Sequence, residues 1–200
     1  TQFSDIVFNP RGVLFISDRM NHQIRKIDTR GNISTIAGTG DSDYYGDGGL
    51  ALDAAFRDPN SLASDREGNI YVAEAANNMI RKIDTKGIVT TFAGNGEHSD
   101  SGDGGPALKA GIRSMDDIAF SPEGELHILG TNTHKVRKIT KDGKIITIVG
   151  KGYSGFFGDG GPATKAMLKN PAAIAFDSKS NLYIADMGNN RIRKVDVNGI

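Results

Sequence analysis

The sequence repeats itself with a fixed period of 56 residues. A hydrophobic–Arg–Lys triplet recurs without insertion or deletion at Ile24, Ile80, Val136 and Ile192. The tetrapeptide GDGG recurs in the same register at Gly46, Gly102 and Gly158. Roughly 3.6 repeats are present, over about 1–56, 57–112, 113–168 and 169–200. A period of this length indicates one supersecondary unit that stacks on its own copies, so we expect a single repeat domain over 1–200.

Each repeat has the pattern of short β-strands. In the second repeat, the segments 69–74 and 79–84 alternate in side-chain character and are bounded by turns rich in Gly, Asn and Asp. Apolar side chains occupy both faces, because Ile70 alternates with Tyr71, and stacked blades need apolar contacts on both sides. We therefore predict an all-β fold, a β-propeller of four-stranded antiparallel blades, and consider an open solenoid less favoured. A helical turn is expected after GDGG, with Pro162 at its first position.

Two segments, GNIYVAEAANNMIRKIDTKGIVTTFAGNGEHSDSGDGGPALKA and NLYIADMGNNRIRKVDVNG, resemble NHL repeats. The long GDGGPA form is similar to that of bacterial secreted NHL proteins and of the teneurin propeller. The resemblance covers essentially the whole chain and implies an NHL-type propeller, usually six-bladed. It implies binding of proteins, RNA or other ligands, with lyase or hydrolase activity in a minority, and an extracellular or periplasmic location. The third repeat departs from the pattern: Gly130 stands where the others have Asp18, Glu74 and Asp186.

Composition excludes several classes of function. The chain has no Cys, which excludes disulfides, zinc–thiolate sites and thiol catalysis. Its formal net charge is +0, which argues against nucleic acid as a partner. No apolar run approaches the length of about 18 residues that membrane insertion needs. We therefore expect neither a nucleic-acid partner nor a membrane-inserted segment.

Residues that recur in every repeat are more typical of scaffold than of a binding site. The repeated Arg25, Arg81, Arg137 and Arg193 could form a basic stripe for phosphates or pair with carboxylates such as Asp18 and Asp186; the zero net charge favours pairing. The Asp of each GDGG could bind Ca²⁺ or an anion. We expect instead a structural turn, in which the Asp accepts backbone N–H bonds.

Positions that differ between repeats are the candidates for function. We expect the loops after the second and fourth strands to emerge on one face and to carry ligand-binding residues. Their aromatic side chains suit a protein or a glycan, unless they tuck against the adjacent blade. The candidate ligand-binding residues are Arg19, His22, Tyr44, Tyr45, Asn77, Asn78, Asn132, His134, Tyr153, Phe156, Phe157, Asn189, Asn190 and Arg191.

A second candidate site lies where the innermost strands begin, at the mouth of the central channel. Asp5, Asn60, Asp116 and Asp117 are the candidate metal ligands there, for Ca²⁺, although solvated carboxylates around a water-filled channel are the alternative. No other cofactor is expected, and no motif indicates a catalytic nucleophile. The leading hypothesis is a non-enzymatic interaction module for a protein or glycan ligand; the alternative is a calcium-dependent hydrolase or lyase with its site at the channel mouth.

Six blades would need 24 strands, whereas the pattern predicts about 15. We therefore expect this chain to be a segment of a larger propeller, with further blades in a longer parent chain. Self-association is the second alternative, and a compact four-bladed ring is the third. An open arc would expose the apolar faces of its terminal blades.

Overall fold

The computed structural model describes residues 4–200 as four consecutive antiparallel blades. Blade 1 contains β1 (Ile6–Phe8), β2 (Leu14–Asp18), β3 (Gln23–Ile27) and β4 (Ile33–Ala37). Blade 2 contains β5 (Pro59–Ser64), β6 (Ile70–Glu74), β7 (Met79–Ile83) and β8 (Val89–Ala93). Blade 3 contains β9 (Met115–Phe120), β10 (Leu126–Gly130), β11 (Lys135–Ile139) and β12 (Ile145–Val149). Blade 4 contains β13 (Ala173–Phe176), β14 (Leu182–Asp186) and β15 (Arg191–Val195).

Strand order follows chain order in every blade, which confirms the predicted meander. Three linkers join the blades: linker 1 (38–58), linker 2 (94–114) and linker 3 (150–172). Each linker contains one short 3₁₀ helix, at Ala51–Asp53, Ala107–Lys109 and Ala163–Lys165, as expected after GDGG. The prediction that Pro162 is the first helical residue is wrong by one position. Pro162 is the N-cap residue, with φ −56° and ψ 127°, and the helix begins at Ala163. No helix among residues 4–200 is long and apolar enough to cross a membrane.

Apolar side chains on both faces of the blades pack consecutive blades together. In blade 2, Leu62, Ile70 and Val72 join the buried cluster shared with blade 1, whereas Tyr71 and Ile80 join the cluster shared with blade 3. A third cluster joins blades 3 and 4. None of these three clusters of described residues combines blade 1 with blade 4.

Because equivalent positions of a repeat should be equally buried, the repeat predicts burial at Ile24, Ile80, Val136 and Ile192, and this prediction is wrong at one of them. Ile24, Ile80 and Val136 are fully buried on third strands, as the repeat predicts, but the equivalent Ile192 is 68% exposed. The physical reason is that Ile192 lies on the outer face of blade 4, where no further strand or blade among the described residues covers it. Phe8, on the outer face of blade 1, is likewise 64% exposed.

The GDGG segments run along the outer edge of the following blade. The Gly48 amide donates to the Val89 carbonyl at 2.8 Å, and the Val89 amide donates to Gly49 at 3.1 Å. Linker 2 pairs with β12 through Ile145 in the same way. Because an exposed strand edge is a template for unwanted pairing, the first two GDGG segments each cover the outer edge of the following blade; blade 4 has three strands and lacks this pairing. The expectation that the long linkers contribute to the loop face does not apply to this part of linkers 1 and 2, which pairs with the outer strand of the following blade.

Candidate functional site

The Asp of each GDGG forms an ion pair with the repeated Arg of the following blade. The distances are 2.8 Å for Asp47–Arg81, 2.5 Å for Asp103–Arg137 and 2.5 Å for Asp159–Arg193. Asp47 and Asp103 also accept the backbone amides of Thr91 and Thr147, as the structural-turn hypothesis predicts. Burial opposes ionisation of Asp47, but the Thr91 hydrogen bond and the Arg81 charge hold its pKa below the ordinary value. This Asp–Arg clasp therefore belongs to the scaffold.

The Arg side chains also approach a second acid, at the end of the second strand of their own blade. Asp18 lies 3.7 Å from Arg25, and Asp186 lies 3.8 Å from Arg193. In blade 3, where this position is Gly130, Asp100 of linker 2 takes the place of the missing acid at 3.3 Å from Arg137. The predicted pairing of Arg with blade carboxylates is therefore confirmed, with an additional acid supplied by each linker.

Three of the four arginines are too buried for a phosphate-binding stripe, since the side chains of Arg81, Arg137 and Arg193 are at most 10% exposed, against 28% for Arg25. The Arg81 side chain is fully buried, donates to the carbonyls of Ala55 and Tyr45, and lies between two aromatic rings. Its guanidinium carbon is 5.0 Å from the Tyr44 centroid and 4.8 Å from that of Phe56. The Arg81 guanidinium is therefore closed off from an external phosphate by burial, although its buried Nε has no hydrogen-bond partner among the described residues.

Several candidates in the short loops hold the chain in a left-handed turn. His22, Asn78, His134 and Asn190 occupy equivalent positions with φ between 52° and 55°. Asn and His tolerate this region better than most residues do. His22 Nδ1 accepts the Asp58 amide at 3.3 Å and His134 Nδ1 accepts the Asn170 amide at 3.3 Å, so each imidazole ties its blade to the next.

Other loop candidates bond to groups of the same chain. Asn77 donates to Glu74 at 2.7 Å, and Asn189 donates to Asp186 at 2.8 Å. Arg19 pairs with Asp58, and Asn132 donates to Ser114 Oγ at 3.3 Å. Burial raises the pKa of Glu74 to about 7, despite the opposing Arg57 amide and Arg81 charge. These contacts identify structural roles that spacing alone did not reveal.

The two tyrosines of linker 1 are also held by hydrogen bonds. The Tyr44 hydroxyl lies 2.7 Å from Thr91 Oγ1 and 3.2 Å from Asp47, and the Tyr45 hydroxyl donates to Asp41 at 2.8 Å. Linker 1 is acidic, with five carboxylates and one Arg between residues 38 and 58.

The aromatic residues of linker 3 are more exposed and have cationic neighbours. Tyr153, Phe156 and Phe157 are 70%, 47% and 60% exposed. The Arg191 guanidinium carbon lies 3.7 Å from the Phe156 centroid, and Lys151 Nζ lies 5.7 Å from that of Phe157. We call these five residues the linker 3 patch. An exposed aromatic group with adjacent cations is the composition found at the centre of many protein interfaces.

Two carboxylates at the channel mouth approach one serine hydroxyl. Ser61 Oγ lies 2.9 Å from Asp5 Oδ2 and 3.1 Å from Asp117 Oδ1. The two carboxylates also accept backbone amides of the following blade, Leu62 for Asp5 and Ile174 for Asp117, each at 2.7 Å. Burial raises the pKa of Asp117 to about 6.

The other two candidate metal ligands are also engaged. Asp116 accepts the Thr131 amide at 3.0 Å, and Asn60 donates to the Met115 and Asp116 carbonyls. Within residues 4–200 no group of three or more His, Cys, Asp or Glu side chains is arranged to hold a metal ion. These hydrogen bonds occupy lone pairs that a cation would need, and the four residues fit Ca²⁺ poorly as they stand.

His127 takes the core role that its position suggested. It stands where the other repeats have Phe or Tyr, and it packs edge-on against Phe176 with centroids 4.6 Å apart. Burial lowers its pKa to about 4, so the imidazole is neutral at physiological pH.

Comparison with known proteins places this architecture in a family. The model of the teneurin NHL domain matches residues 39–101. Teneurin-m of Drosophila melanogaster is 32% identical over 94% of this chain, and NHL repeat-containing protein 2 of Bos taurus is 29% identical over 97%. The chain spans 8% and 32% of the lengths of these two relatives.

Solved structures agree on the fold. Virginiamycin B lyase from Staphylococcus aureus superposes with a TM-score of 0.63 at 20% identity, over 100% of this chain and 54% of the lyase chain. Meander blades stacked about an axis define a β-propeller. With its 56-residue GDGG repeat and these relatives, the chain belongs to the NHL-repeat β-propeller family.

Proposed function

We propose that this chain is a non-enzymatic interaction module that binds a protein through the linker 3 patch. The observation that carries the proposal is the exposure of Tyr153, Phe156 and Phe157 beside Arg191 and Lys151. Tyr and Arg are over-represented among residues that dominate binding energy, and burying exposed rings contributes the hydrophobic part of that energy. The relatives and the repeat type further favour an extracellular or periplasmic module.

The charge of the patch indicates which protein surface would fit it. Between residues 150 and 172 linker 3 carries three Lys and one Asp, and Arg191 adds a further positive charge. Asp159 is already paired with Arg193. A partner with carboxylates beside an apolar group would therefore match both the cations and the rings. A glycan stays the alternative ligand, because exposed aromatic rings also stack on sugars.

A binding screen with paired variants tests this proposal. The purified chain would be displayed as a multimer and applied to a panel of purified cell-surface ectodomains and, separately, to a glycan array. Phe156→Ala with Phe157→Ala should weaken capture of an ectodomain at least tenfold, because the apolar contact is lost. The melting temperature should change little, since both side chains are largely exposed.

Tyr44→Phe with Tyr45→Phe is the matched control, because it alters two aromatic residues of linker 1 and keeps their rings. This control should bind the same ectodomain as the unmodified chain does. Capture of glycans but of no ectodomain would contradict the proposal of a protein partner. Unchanged ectodomain binding by the Phe156→Ala, Phe157→Ala variant would show that the linker 3 patch is not the binding site. A large fall in melting temperature with unchanged binding per folded molecule would assign those Phe residues to the scaffold.

The enzyme alternative has its own measurement. A calcium-dependent hydrolase or lyase at the channel mouth predicts that Ca²⁺ raises the melting temperature by binding the folded state. Asp116→Asn with Asp117→Asn should abolish that rise. The interaction module predicts no dependence on Ca²⁺, and a saturable rise removed by these substitutions would favour the metal site.

A further inference from the structure

A groove lies between blades 2 and 3 at the end of the blades that carries the turns after the first and third strands, and the first turn of blade 1 and part of linker 2 also line it. Its volume is about 1000 Å³, at the upper end of the range for small-molecule sites. The Arg66 guanidinium donates to the Pro122 carbonyl and so joins the turns of the two blades at the rim. This groove is distinct from the linker 3 patch, which belongs to the junction of blades 3 and 4.

Three aromatic rings form the floor of the groove. The Tyr71 ring meets Phe92 and Phe120 edge-on, with centroid distances of 4.8 Å and 4.9 Å. Phe92 and Phe120 are only partly buried and line the groove. Such an edge-to-face cluster offers a further ring the same favourable geometry.

This floor is particular to one junction. The equivalent positions are Phe15, Ile36 and Ser64 between blades 1 and 2, and His127, Ile148 and Phe176 between blades 3 and 4. Of the three described junctions, the one between blades 2 and 3 therefore has three carbocyclic rings. In a repeat protein, a departure from the repeat marks a candidate for recognition, because the scaffold needs only the repeated residues.

A lysine without a carboxylate partner stands beside these rings. Lys82 Nζ lies 5.7 Å from the Tyr71 centroid, and the side chain is half-buried. Its equivalent in blade 3, Lys138, is neutralised by Glu125 at 2.7 Å, whereas blade 2 has Asn69 at the position of Glu125. The ion pairs within residues 4–200 include none to Lys82.

The acids around Lys82 are engaged by other donors. Asp84 accepts the Lys86 and Ile88 amides, and Asp65 is the acid of this blade's first turn that lines the groove. Asp65 accepts the Asn69 amide at 2.8 Å, the Asn69 side chain at 2.7 Å and the Tyr71 hydroxyl at 3.2 Å. Its charge is therefore directed at fixed donors rather than at the ammonium of Lys82. At the rim the charges of Glu67 and Glu123 are balanced by those of Arg66 and Lys141, so the rim has no excess positive charge that would favour a ligand with several negative charges.

We propose that this groove binds a small planar aromatic molecule with a single anionic group. The ring packs on Phe92 and Phe120, and the anion lies against Lys82. Each contact has a physical basis: aromatic pairing contributes beyond area burial, and a half-buried ammonium gains from an anion where water is partly excluded.

Two fluorescent probes of the same ring system test this site. 8-Anilinonaphthalene-1-sulfonate carries the anion, and N-phenyl-1-naphthylamine lacks it. Titration of the full chain should give one saturable site for the sulfonate. Lys82→Met should lower the affinity for the sulfonate at least tenfold and leave that for the neutral probe unchanged. Lys26→Met, at the equivalent position of blade 1, should change neither.

A second variant tests the floor without disturbing the fold. Phe92→Ile places at this junction the residue that the other two already have, Ile36 and Ile148. It should weaken both probes severalfold. Equal effects of Lys82→Met and Lys26→Met would overturn the proposal, as would tighter or equal binding of the neutral probe by the unmodified chain. Insensitivity of the sulfonate to both Lys82→Met and Phe92→Ile would assign its fluorescence to other apolar surfaces.

Discussion

The junction of blades 1 and 2 and the junction of blades 3 and 4 are built from the same repeat but differ in what they leave exposed. At the first, the Tyr44 hydroxyl is fixed by Thr91 and Asp47, and Arg81 is fully buried. At the second, Phe156 and Phe157 have no hydroxyl to anchor them and are 47% and 60% exposed. The Asp159 carboxylate that pairs with Arg193 is also exposed. The same Asp–Arg clasp is therefore buried at the first junction and lies beneath exposed aromatic side chains at the second.

The largest expected difference between the junctions lies in their clasps. Arg81→Ala should lower the free energy of unfolding by about 3–5 kcal/mol, because it leaves two carbonyls without their buried donor and removes the positive charge 3.6 Å from the buried Glu74 carboxyl. Arg193→Ala should cost about 1–2 kcal/mol, because Asp159 remains hydrated and the buried Asp186 keeps its hydrogen bonds from Lys169 and Asn189. Urea unfolding of both variants measures the difference. Equal costs would mean that the two clasps are energetically the same.

The hydrophobic position before each Arg gives a second comparison. Ile80→Ala should lower the free energy of unfolding by roughly 2–4 kcal/mol, since it removes a fully buried side chain. Ile192→Ala should change it by less than about 0.5 kcal/mol, since that side chain is exposed. Both values come from the same denaturation assay. A large loss at Ile192 would show that its exposed face is covered in solution.

The two carboxylates that contact Ser61, Asp5 and Asp117, give a third comparison, in the pH dependence of stability. Asp5, between blades 1 and 2, accepts the Ile6 and Leu62 amides and the Ser61 hydroxyl. Ser61 has one hydrogen, so if it donates to Asp5, the contact with Asp117 Oδ1 requires a proton on Asp117. This count agrees with the Asp117 pKa of about 6, raised by burial above the ordinary value of 3.8.

Asp117 therefore binds a proton more tightly in the folded state than in the unfolded state. Its contribution to stability is fully present below about pH 3.8 and is lost as pH rises through about 6. Asp117→Asn keeps an acceptor for Ile174 and a donor for Ser61, so it should remove roughly 1–3 kcal/mol of pH dependence between pH 4 and 8. Denaturation at several pH values measures this, with Asp116→Asn as the control. An unchanged profile in Asp117→Asn would mean that Asp117 is ionised throughout.

A modest effect is expected from the loss of a single hydroxyl. Tyr44→Phe should lower the free energy of unfolding by about 1 kcal/mol, because Thr91 and Asp47 lose a hydrogen-bonding partner while the ring stays over Arg81. Thermal melts resolve a change of this size. An unchanged melting temperature would show that the Tyr44 hydroxyl does not stabilise the fold, so that Tyr44 would be available for binding like the aromatic residues of linker 3.

Prediction from the sequence succeeded where the repeat itself carried the information. Alternation in segments such as 69–74 located the strands, and the recurrence of Arg with nearby acids predicted ion pairing. The repeat did not reveal that Asp47 is the partner of Arg81. Every repeated acid keeps a constant spacing from every repeated Arg, so spacing alone does not tell which acid is in contact. Contacts that cross from a linker to the next blade depend on how the blades stack, which no local pattern encodes.

The same limit applies to the candidate site. His22 and Asn78 differ between repeats and so appeared functional, yet both hold the left-handed residue of a turn, which Asn and His can each supply. Variation between repeats therefore includes chemical equivalents as well as true differences. The exposed aromatic residues of linker 3 stand out only once the fraction of each side chain that is exposed is known. The sequence does not give that fraction for aromatic residues in a long linker. Asp100, which replaces the acid missing at Gly130, lay outside the aligned position and was missed for that reason.

Hydroxyl-radical footprinting of the five linker aromatics, in the free chain and with the ectodomain captured in the screen, tests the central claim most directly. It reports Tyr44, Tyr45, Tyr153, Phe156 and Phe157 in one experiment. The account predicts rapid modification of the three linker 3 residues in the free chain, strong protection of them by the partner, and unchanged modification of the two linker 1 tyrosines. Protection confined to Tyr44 and Tyr45, or none at Phe156 and Phe157, would contradict it.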